Sequence, residues 1–279
     1  MVADTTSTAS LIQEQVSSLL VQPLEAASVV LAAGPRIFDS SEPLRIPKIT
    51  AGITAGFVAE NAEIPEGDVA FGEIMLMPSD RKSIKAITKF SNEALRQSTV
   101  GLDAVLKARL VHDVAAALDS ALLTGTGTTK SITGITKQTG VSTGVLDATS
   151  PDSILDALGT AAANEVEPNR LFVSSADFTT LRKVKASGTG EYMVQPDVTG
   201  AARYQLFGVP VTVTNKLPTG TAVLADMSQV AVVRDLAPSV TVLSERYAEF
   251  DQQAIRVVTR YDLGLLHPEG VVVLTAVAP

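Results

Sequence analysis

A long amphipathic stretch that ends at two glycines constrains the fold more than any other feature of this sequence. Residues 102–135 read LDAVLKARLVHDVAAALDSALLTGTGTTKSITGI. Apolar residues recur there at steps of three and four, which is typical of a helix with one apolar face: Leu102, Leu106, Leu110, Val114, Ala117, Leu118, Ala121 and Leu122. Gly125 and Gly127 then end the helix, because glycine accepts the left-handed or strained backbone of a helix terminus. We predict a helix from about Val100 to Leu123, on the order of 35 Å long.

The run GTGTTKS after this helix can be misread as a phosphate-binding loop. A nucleotide site needs its glycines before a helix, so that N–H groups at the positive helix N-terminus face the phosphate. Here the glycines follow the helix and lie at its negative end, and no glycine directly precedes Lys130. We therefore interpret Gly125 and Gly127 as a helix C-cap.

The length and composition of the chain indicate a large core and a surface with few charges. A length of 279 residues with 46% hydrophobic residues allows about two domains, or one elaborate domain, with a large core. Charged residues make up 19% of the chain, below the roughly 25% of typical proteins. Such a surface favours burial against partners, and a core rich in Ala and Val is the alternative explanation.

Charge and cysteine content exclude several classes of function. The net charge of −8 argues against a basic nucleic-acid binder. The absence of cysteine excludes disulfides, thiolate chemistry and cysteine metal sites. The sequence contains neither a run of 18 apolar residues nor a basic segment before an apolar one at the N-terminus. We therefore expect a soluble, cytoplasmic chain without a membrane span.

The residues offer no basis for catalysis. The two histidines are His112, on the polar flank of the long helix, and His267, before a turn proline, and we expect both to be solvated. Four carboxylates cluster in the segment NAEIPEGD and around it, on an exposed tip that lacks the burial needed to shift a catalytic pKa. Their spacing also lacks the pattern of a known calcium loop. We predict that the chain is not an enzyme and binds no metal and no cofactor.

The chain begins with two extended segments. Residues 1–43 start with a small, polar composition, and we predict an arm that orders only against something else. Residues 44–80 read as two β runs around the acidic tip, where Pro65 and Gly67 favour a turn. An isolated ribbon of this kind is marginal in water, so the hairpin needs a neighbour to rest on. A half-exposed strand is predicted from Arg81 to Phe90, followed by a short helix that begins at Ser91.

After the long helix, the pattern changes to alternating helices and strands. Residues 151–244 predict a compact mixed α/β domain, with helices at Ser153–Asn164 and Ala176–Lys185 and strands at Arg170–Ser174, Val209–Thr214, Thr221–Ala225, Val230–Arg234 and Val240–Leu243. Residues 188–204 read as a polar loop. The chain closes with two β runs around His267 and Gly270, which we predict to form a hairpin.

This order of elements resembles the major capsid proteins of tailed bacteriophages, which have the Hong Kong 97-type capsid fold. The matching stretches are AGFVAENAEIPEGDVAFGEIML, ITKFSNEALRQS, ALDSALLTGTGTTKSITGI, RLFVSSADFTTLRKVK and LFGVPVTVTNKLP, and together they cover most of residues 43–279. The resemblance implies an α+β fold of four parts. They are an N-terminal arm (1–43), an extended β-hairpin loop (44–82), a peripheral domain with a long spine helix and a β-sheet (83–135 and 245–279) and an axial α/β domain (136–244).

The resemblance also implies a function and its partners. The chain would be a structural subunit that self-assembles into pentamers and hexamers of an icosahedral phage head enclosing double-stranded DNA. It would be located in the virion and assembled in the host cytoplasm. Its partners would be other copies of itself, a portal, a possible cement protein and DNA contacted non-specifically, without a membrane. Because the sequence begins at Met1 with only a short arm, we expect either a separate scaffolding protein or a scaffold that is removed before this sequence begins.

Two other classes remain open at this point. One is an encapsulin-like nanocompartment shell, which has a related fold and carries a cargo enzyme rather than DNA. The other is an unrelated soluble α/β enzyme, which the lack of catalytic residues disfavours.

The sequence departs from the family pattern at the positions of a cross-link. Some relatives join subunits by an isopeptide bond between a loop lysine and an asparagine, assisted by a glutamate. The position of the lysine is Ile64 here, and the approximate counterparts of the other two are Gln253 and Arg260. Because Ile64 offers no amine, we expect no such bond. Phe57 replaces the usual loop tryptophan, and Thr133 replaces the proline before the Gly-Ile pair.

Candidate contacts between subunits lie on the hairpin and on the strand after it. The apolar candidates are Ile53, Phe57, Val69, Phe71 and Ile74, for which packing within the hairpin is the alternative. The basic candidates Arg81, Lys82, Lys85 and Lys89 would pair with the acidic Glu63, Glu66 and Asp68 of a neighbour. For these ionic residues the alternative is a solvated surface.

Overall fold

A computed structural model describes residues 27–51, 57–58, 70–77, 82–93, 102–128, 131–185, 204–243 and 245–276. The helices are α1 (Leu102–Thr124), α2 (Asp152–Ala163) and α3 (Ser175–Arg182). The strands are β1 (Arg36–Asp39), β2 (Leu44–Ala51), β3 (Ala70–Leu76), β4 (Ile84–Ser91), β5 (Ser142–Val145), β6 (Arg170–Val173), β7 (Gln205–Leu206), β8 (Val209–Val213), β9 (Thr221–Ala225), β10 (Val230–Leu243), β11 (Gln252–Leu265) and β12 (Val271–Thr275).

The strands form three sheets. A four-stranded sheet has the order β1-β10-β11-β4 and is antiparallel except where β1 runs parallel to β10. A six-stranded mixed sheet has the order β5-β12-β9-β6-β8-β7. Strands β2 and β3 form a separate antiparallel hairpin. The predicted hairpin arms, the strand after them and the alternating α/β elements of residues 151–225 are thereby confirmed.

Helix α1 lies at the centre of the largest apolar cluster. Leu110, Val114, Leu118 and Leu122 are buried at the spacing of one helical face, as predicted. The predicted face is wrong at Ala117, which is exposed. The cluster joins one face of the four-stranded sheet, through residues such as Ile255 and Leu263, to one face of the six-stranded sheet, through residues such as Phe172 and Val223. The opposite face of the six-stranded sheet packs against α2 and α3 in a second cluster.

The glycines after α1 allow residues 125–127 to pair closely with residues 132–134, with an antiparallel bridge between Thr126 and Thr133. The Gly127 N–H donates to the Ile132 carbonyl at 3.1 Å, and the Gly134 N–H donates to the Gly125 carbonyl at 2.9 Å. Of the two glycines after the helix, Gly127 has a left-handed φ of +70°. At Gly125 the requirement is space, because a Cβ there would collide with the carbonyl oxygens of Ile132 and Ala121. The C-cap interpretation is confirmed, and the reason for Gly125 is close approach rather than dihedral angle.

Part of the predicted arm belongs to the fold. Residues 36–39 form β1, which pairs with β10, and the Arg234 guanidinium binds the Asp39 carboxylate at 2.6 and 2.8 Å. This contact lowers the pKa of Asp39 below its usual value, chiefly through the hydrogen bond from Arg234. Residues 1–43 were predicted to form an arm that orders only against something else. This prediction is wrong for residues 28–39, because β1 pairs with β10 and the apolar side chains before Gly34 pack on the chain's own core.

A buried acid holds this N-terminal segment to the long helix. Asp119 of α1 is only 2% exposed. Its carboxyl oxygens accept hydrogen bonds from the Ser28 hydroxyl at 2.5 Å, the Val29 N–H at 2.9 Å and the Val30 N–H at 3.1 Å. A buried carboxyl group needs such donors, because burial without them costs several kcal/mol. Asp119 therefore fixes the N-terminal segment at the middle of the structure.

Two other predictions about strands are wrong. The two short strands expected in residues 230–243 are a single strand, β10, with irregular pairing to β11 between Arg234 and Ser239. The closing hairpin does not form: β11 pairs with β10 and β4, whereas β12 pairs with β9 and β5 in the other sheet. The short 3-10 turn Pro268–Gly270 therefore carries the chain from one sheet to the other.

Replacing Asp119 with Ala should lower the free energy of unfolding by about 3 kcal/mol, because two backbone N–H groups and a hydroxyl lose their acceptor inside the core. Urea titration of the unassembled subunit measures this change. Asp113→Ala is the matched control on the same helix, since Asp113 forms an exposed i,i+4 ion pair with Arg109 and should contribute less than about 0.5 kcal/mol. Equal effects of the two variants would contradict the anchoring role of Asp119.

Replacing Gly134 with Ala should destabilise the subunit by about 3 kcal/mol, because the new Cβ would lie 2.5 Å from the Gly125 nitrogen and 2.7 Å from the Leu123 carbonyl carbon. Gly159→Ala, in the exposed interior of α2 with no atom within 4 Å of the added Cβ, should instead stabilise by about 0.5–1 kcal/mol. Thermal and urea unfolding of both variants test the pair. A Gly134 variant as stable as the wild type would show that the close pairing of residues 125–127 with 132–134 tolerates a side chain.

Candidate interaction surface

The outer face of the four-stranded sheet is covered unevenly. Helix α1 covers the inner face, where Ile255, Val257 and Leu263 point into the main cluster. On the outer face, Leu76 and Met77 at the end of β3 pack with Ala231 and Val233 of β10. A Cβ on Gly264 would lie 2.5 Å from the Leu76 side chain, so the hairpin rests directly on the sheet there. One half of the outer face is thus covered by the chain's own hairpin.

An unusual backbone conformation at Met77 sets the direction in which the base of the hairpin meets the sheet. Met77 is buried and has a φ of +56°, which a non-glycine residue rarely adopts. Its N–H donates to Asp262 Oδ2 at 2.7 Å, and the Leu263 N–H donates to Oδ1 of the same carboxyl group at 2.9 Å. A cavity of about 210 Å³ lies beside this contact and is lined in part by Lys82 and Tyr261. Asp262 therefore fixes the direction in which the hairpin leaves the sheet.

The other half of the outer face carries exposed cations around an exposed apolar side chain. Lys85, Ile87 and Lys89 alternate outward along β4, and Arg256 of β11 lies opposite Ile87 in the strand pairing. Ile87 is 46% exposed. Lys85, Lys89 and Arg256 form no ion pair with the described residues. We call Lys85, Ile87, Lys89 and Arg256 the basic sheet face.

Aromatic rings adjoin this face at one end. The Lys89 ammonium lies 4.3 Å from the centre of the Tyr247 ring, and the Arg246 guanidinium lies 5.7 Å from it. Phe250, in the connection between β10 and β11, is largely exposed. The surface at this end therefore combines positive charge with apolar area, a composition that suits a partner with acidic and apolar groups.

The hairpin presents a second apolar surface. Phe71 and Met75 alternate outward along β3, and Phe71 is 74% exposed. Phe57 is fully exposed. Ile74 alternates to the other side, where it packs partly against the cluster on the outer sheet face. Of the predicted apolar contacts, Phe57 and Phe71 are free to meet a partner, whereas the packing alternative holds for Ile74.

The remaining predicted site residues divide into two groups. Ile53, Glu63, Glu66, Asp68, Val69 and Arg81 lie outside the described residues. Lys82 is half-buried beside the hairpin base, away from the exposed alternation of Lys85 and Lys89. Three exposed residues of these surfaces were not predicted from the sequence: Met75, Ile87 and Arg256. Their signal is the two-residue alternation of strands β4, β3 and β11, combined with a pairing between β4 and β11 that only the structure supplies.

The positions that would carry an isopeptide cross-link have other roles. Gln253 lies in β11 opposite Phe90 of β4. The Arg260 side chain donates to the Ser83 hydroxyl at 3.0 Å and to the Asp235 carboxylate at 3.1 Å, so it links β11 to β10 and to the start of β4. Ile64 lies outside the described residues.

The two histidines lie apart from any metal-binding cluster in the described residues. His112 is exposed on α1, as predicted, and His267 is half-buried at the start of a 3-10 turn. Within the described part of the chain, no three His, Cys, Asp or Glu side chains come close enough to hold a metal ion. The described helices include none with the length and apolar character needed to cross a membrane.

Replacing Asp262 with Ala should loosen the hairpin base, because the Met77 N–H loses its acceptor and the left-handed Met77 backbone loses its support. We expect faster hydrogen exchange at the Met77 amide and faster proteolysis within residues 44–82. Glu73→Ala is the control, since Glu73 forms only an exposed ion pair with Arg45 on the hairpin itself. Unchanged exchange at Met77 in the Asp262 variant would show that apolar packing alone holds the hairpin.

Comparison with known proteins shows the same architecture elsewhere. The sequence model of the phage capsid family matches residues 8–276. The capsid of a native GTA particle is 14% identical, with a TM-score of 0.73 over 90% of each chain. Structures from Microbacterium phage Oxtober96 and Mycobacterium phage Adephagia are each 18% identical over 90% of this chain and 91% of theirs, with TM-scores of 0.70 and 0.71. None of the curated protein sequences matches this chain significantly.

Proposed function

Because this chain belongs to the phage capsid family, we propose that it is the structural shell subunit of a tailed-phage head. Copies of it would form the pentamers and hexamers of an icosahedral shell that encloses double-stranded DNA. The single observation that carries this proposal is the family match over residues 8–276. The α+β fold shared with phage capsid structures over nine-tenths of both chains supports it.

The surface of the subunit suits this function. A shell subunit needs extended contacts that are individually weak, so that errors can be corrected, and strong in sum. The hairpin β2–β3 provides reach without enlarging the core, and it presents Phe57 and Phe71 to solvent. An exposed aromatic side chain of this kind is a typical anchor of a protein interface. We propose that both side chains contact a neighbouring subunit.

The second proposed contact is electrostatic. The segment between the hairpin arms carries Glu63, Glu66 and Asp68. The basic sheet face offers Lys85, Lys89 and Arg256, which have no carboxylate partner among the described residues. Opposite charges on the two surfaces would favour correct pairing of neighbours and suppress wrong contacts. Arg81 and Lys82, which follow the hairpin in the sequence, stay in this proposal.

We propose the following division of the subunit. The extended loop is residues 44–82, the peripheral domain contains the spine helix α1 and the four-stranded sheet, and the axial domain contains the six-stranded sheet with α2 and α3. Strand β12, predicted in the peripheral domain, pairs within the six-stranded sheet, so we include it in the axial domain. Strand β10, predicted in the axial domain, and β1, predicted in the arm, pair within the four-stranded sheet, so we include both in the peripheral domain. The arm of the shell subunit would be the part of residues 1–43 that precedes the Asp119 anchor.

Other partners follow from the same proposal. We propose that the head also contains a portal, is assembled with a scaffold and, in some shells, carries a cement protein. Contact with DNA would be non-specific, because the chain is acidic overall and has a net charge of −8. The subunit would act structurally rather than as an enzyme, within a virion assembled in the host cytoplasm. An encapsulin-like nanocompartment shell is the second candidate, since its fold is related.

The proposed function is tested by imaging and by the content of the particles. The purified protein should form closed shells in electron micrographs, and native particles should contain double-stranded DNA. A protein that stays at 29.1 kDa under all assembly conditions would contradict both kinds of shell. Shells that hold a protein cargo and no DNA would favour the nanocompartment.

Replacing Phe57 and Phe71 together with Ser should prevent assembly while leaving the unassembled subunit equally stable, because neither ring is buried in it. We expect the threshold concentration for shell formation, followed by light scattering, to rise at least about tenfold. The double Leu variant is the control and should assemble, since it keeps an apolar contact. Normal assembly of the Ser variant would rule out the hairpin contact.

A further inference from the structure

The turn between β7 and β8 contains a bulky residue in a backbone conformation that disfavours it. Leu206 pairs with Val209, so Phe207 and Gly208 form a two-residue hairpin turn. Their φ values are +50° and +83°. A turn with positive φ at both positions favours Asn-Gly, and a bulky aromatic side chain at the first position is strained.

The side chain of Phe207 is also only partly buried in the subunit, so it gains little stability from packing. Phe207 is 43% exposed, whereas its neighbours Leu206 and Val209 are buried in the cluster beneath α2 and α3. Its ring therefore projects from a turn whose flanking residues are fixed. An unfavourable backbone conformation that persists together with an exposed aromatic ring points to a role outside the free chain.

The base of this turn is rigid. The Tyr204 ring meets the Phe178 ring edge-on, with centroids 5.0 Å apart. The Arg182 guanidinium lies 4.9 Å from the centre of the Tyr204 ring, and the Val211 N–H donates to the Tyr204 carbonyl at 2.9 Å. The backbone that carries Phe207 is thus anchored before any partner arrives. A partner then has only the ring itself to order on binding, and an aromatic ring with few rotatable bonds is a typical interface anchor.

The opposite edge of the same sheet offers an apolar surface of a different kind. In the order β5-β12-β9-β6-β8-β7, β5 and β7 are the two edges among the described residues. Val145 at the end of β5 is 57% exposed, and Leu155 of α2, the helix that packs on β5, is also exposed. A ring of identical subunits needs two different surfaces on each subunit, one at each side, because its contacts are head-to-tail.

We infer that Phe207 is an anchor by which one copy of this chain binds the next, and that the edge formed by Val145 and Leu155 of the second copy receives it. This inference rests on the proposed shell function and names the partner surface for the six-stranded sheet. The strained turn is retained because Asn-Gly, which fits the backbone better, would remove the ring that the neighbour binds.

The first test compares Phe207→Asn with Glu165→Asn. Glu165 is exposed and also has a left-handed φ, +57°, so Asn relieves backbone strain in both variants but removes a ring in only one. Both variants should keep or raise the Tm of the unassembled subunit, by up to about 3 °C. The threshold concentration for shell formation should rise at least about tenfold for Phe207→Asn and stay within about twofold for Glu165→Asn.

Two outcomes of this comparison overturn the inference. One is shell formation by Phe207→Asn at the wild-type threshold concentration. The other is a lower Tm of the unassembled Phe207→Asn subunit, which would mean that the ring stabilises its own chain. Failure of the wild-type protein to form shells is a separate result, because it contradicts the proposed function rather than the role of Phe207.

The second test identifies the receiving surface. A photoreactive benzophenone side chain replaces Phe207, and shells are assembled from a mixture of isotopically heavy and light copies. Irradiation should join position 207 of one copy to the peptide containing Val145 and Leu155 of another, which mass spectrometry recognises as a heavy–light product. Cross-links confined to one copy, or to another surface of the second copy, would overturn the assignment.

Discussion

The packing of one long helix against two sheets governs the rest of this structure. Helix α1 has a single apolar face, and Leu118 and Leu122 on it are fully buried in the cluster shared by the inner faces of both sheets. The six-stranded sheet gains α2 and α3 on its other side. Among the described residues, no helix packs on the outer face of the four-stranded sheet. The hairpin base covers one part of this face, and the basic sheet face stays exposed in the free subunit.

Three carboxyl groups attach segments that are distant in sequence to this core, and of these Asp119 and Asp177 are buried and Asp262 is half-buried. Asp119 accepts N–H groups from the N-terminal segment, Asp262 accepts the Met77 N–H at the hairpin base, and Asp177 accepts the Gly220 N–H at 2.7 Å. In each case an acid on a regular element satisfies backbone donors of a segment distant in sequence. The compact core thereby determines where the projecting parts begin, which is what a subunit with long-range contacts requires.

Local patterns predicted the elements better than their pairing. The three-and-four spacing before Gly125 predicted α1, and the alternation around Lys85 and Lys89 predicted β4, because both signals lie within one element. Strands β11 and β12 were wrongly paired, since a turn at Pro268 does not reveal that the next strand enters another sheet. Arg256 was missed for the same reason: it joins the basic sheet face only through the pairing of β11 with β4.

We propose that other copies of this chain cover the surfaces left open on the free subunit. A cryo-electron microscopy map of the assembled particle measures this coverage directly, as the exposed area that Phe71 and the basic sheet face lose between subunit and shell. We expect a neighbouring copy to cover both, with carboxylates of the segment between the hairpin arms near Lys85, Lys89 and Arg256. A shell in which both surfaces stay exposed to solvent would contradict it.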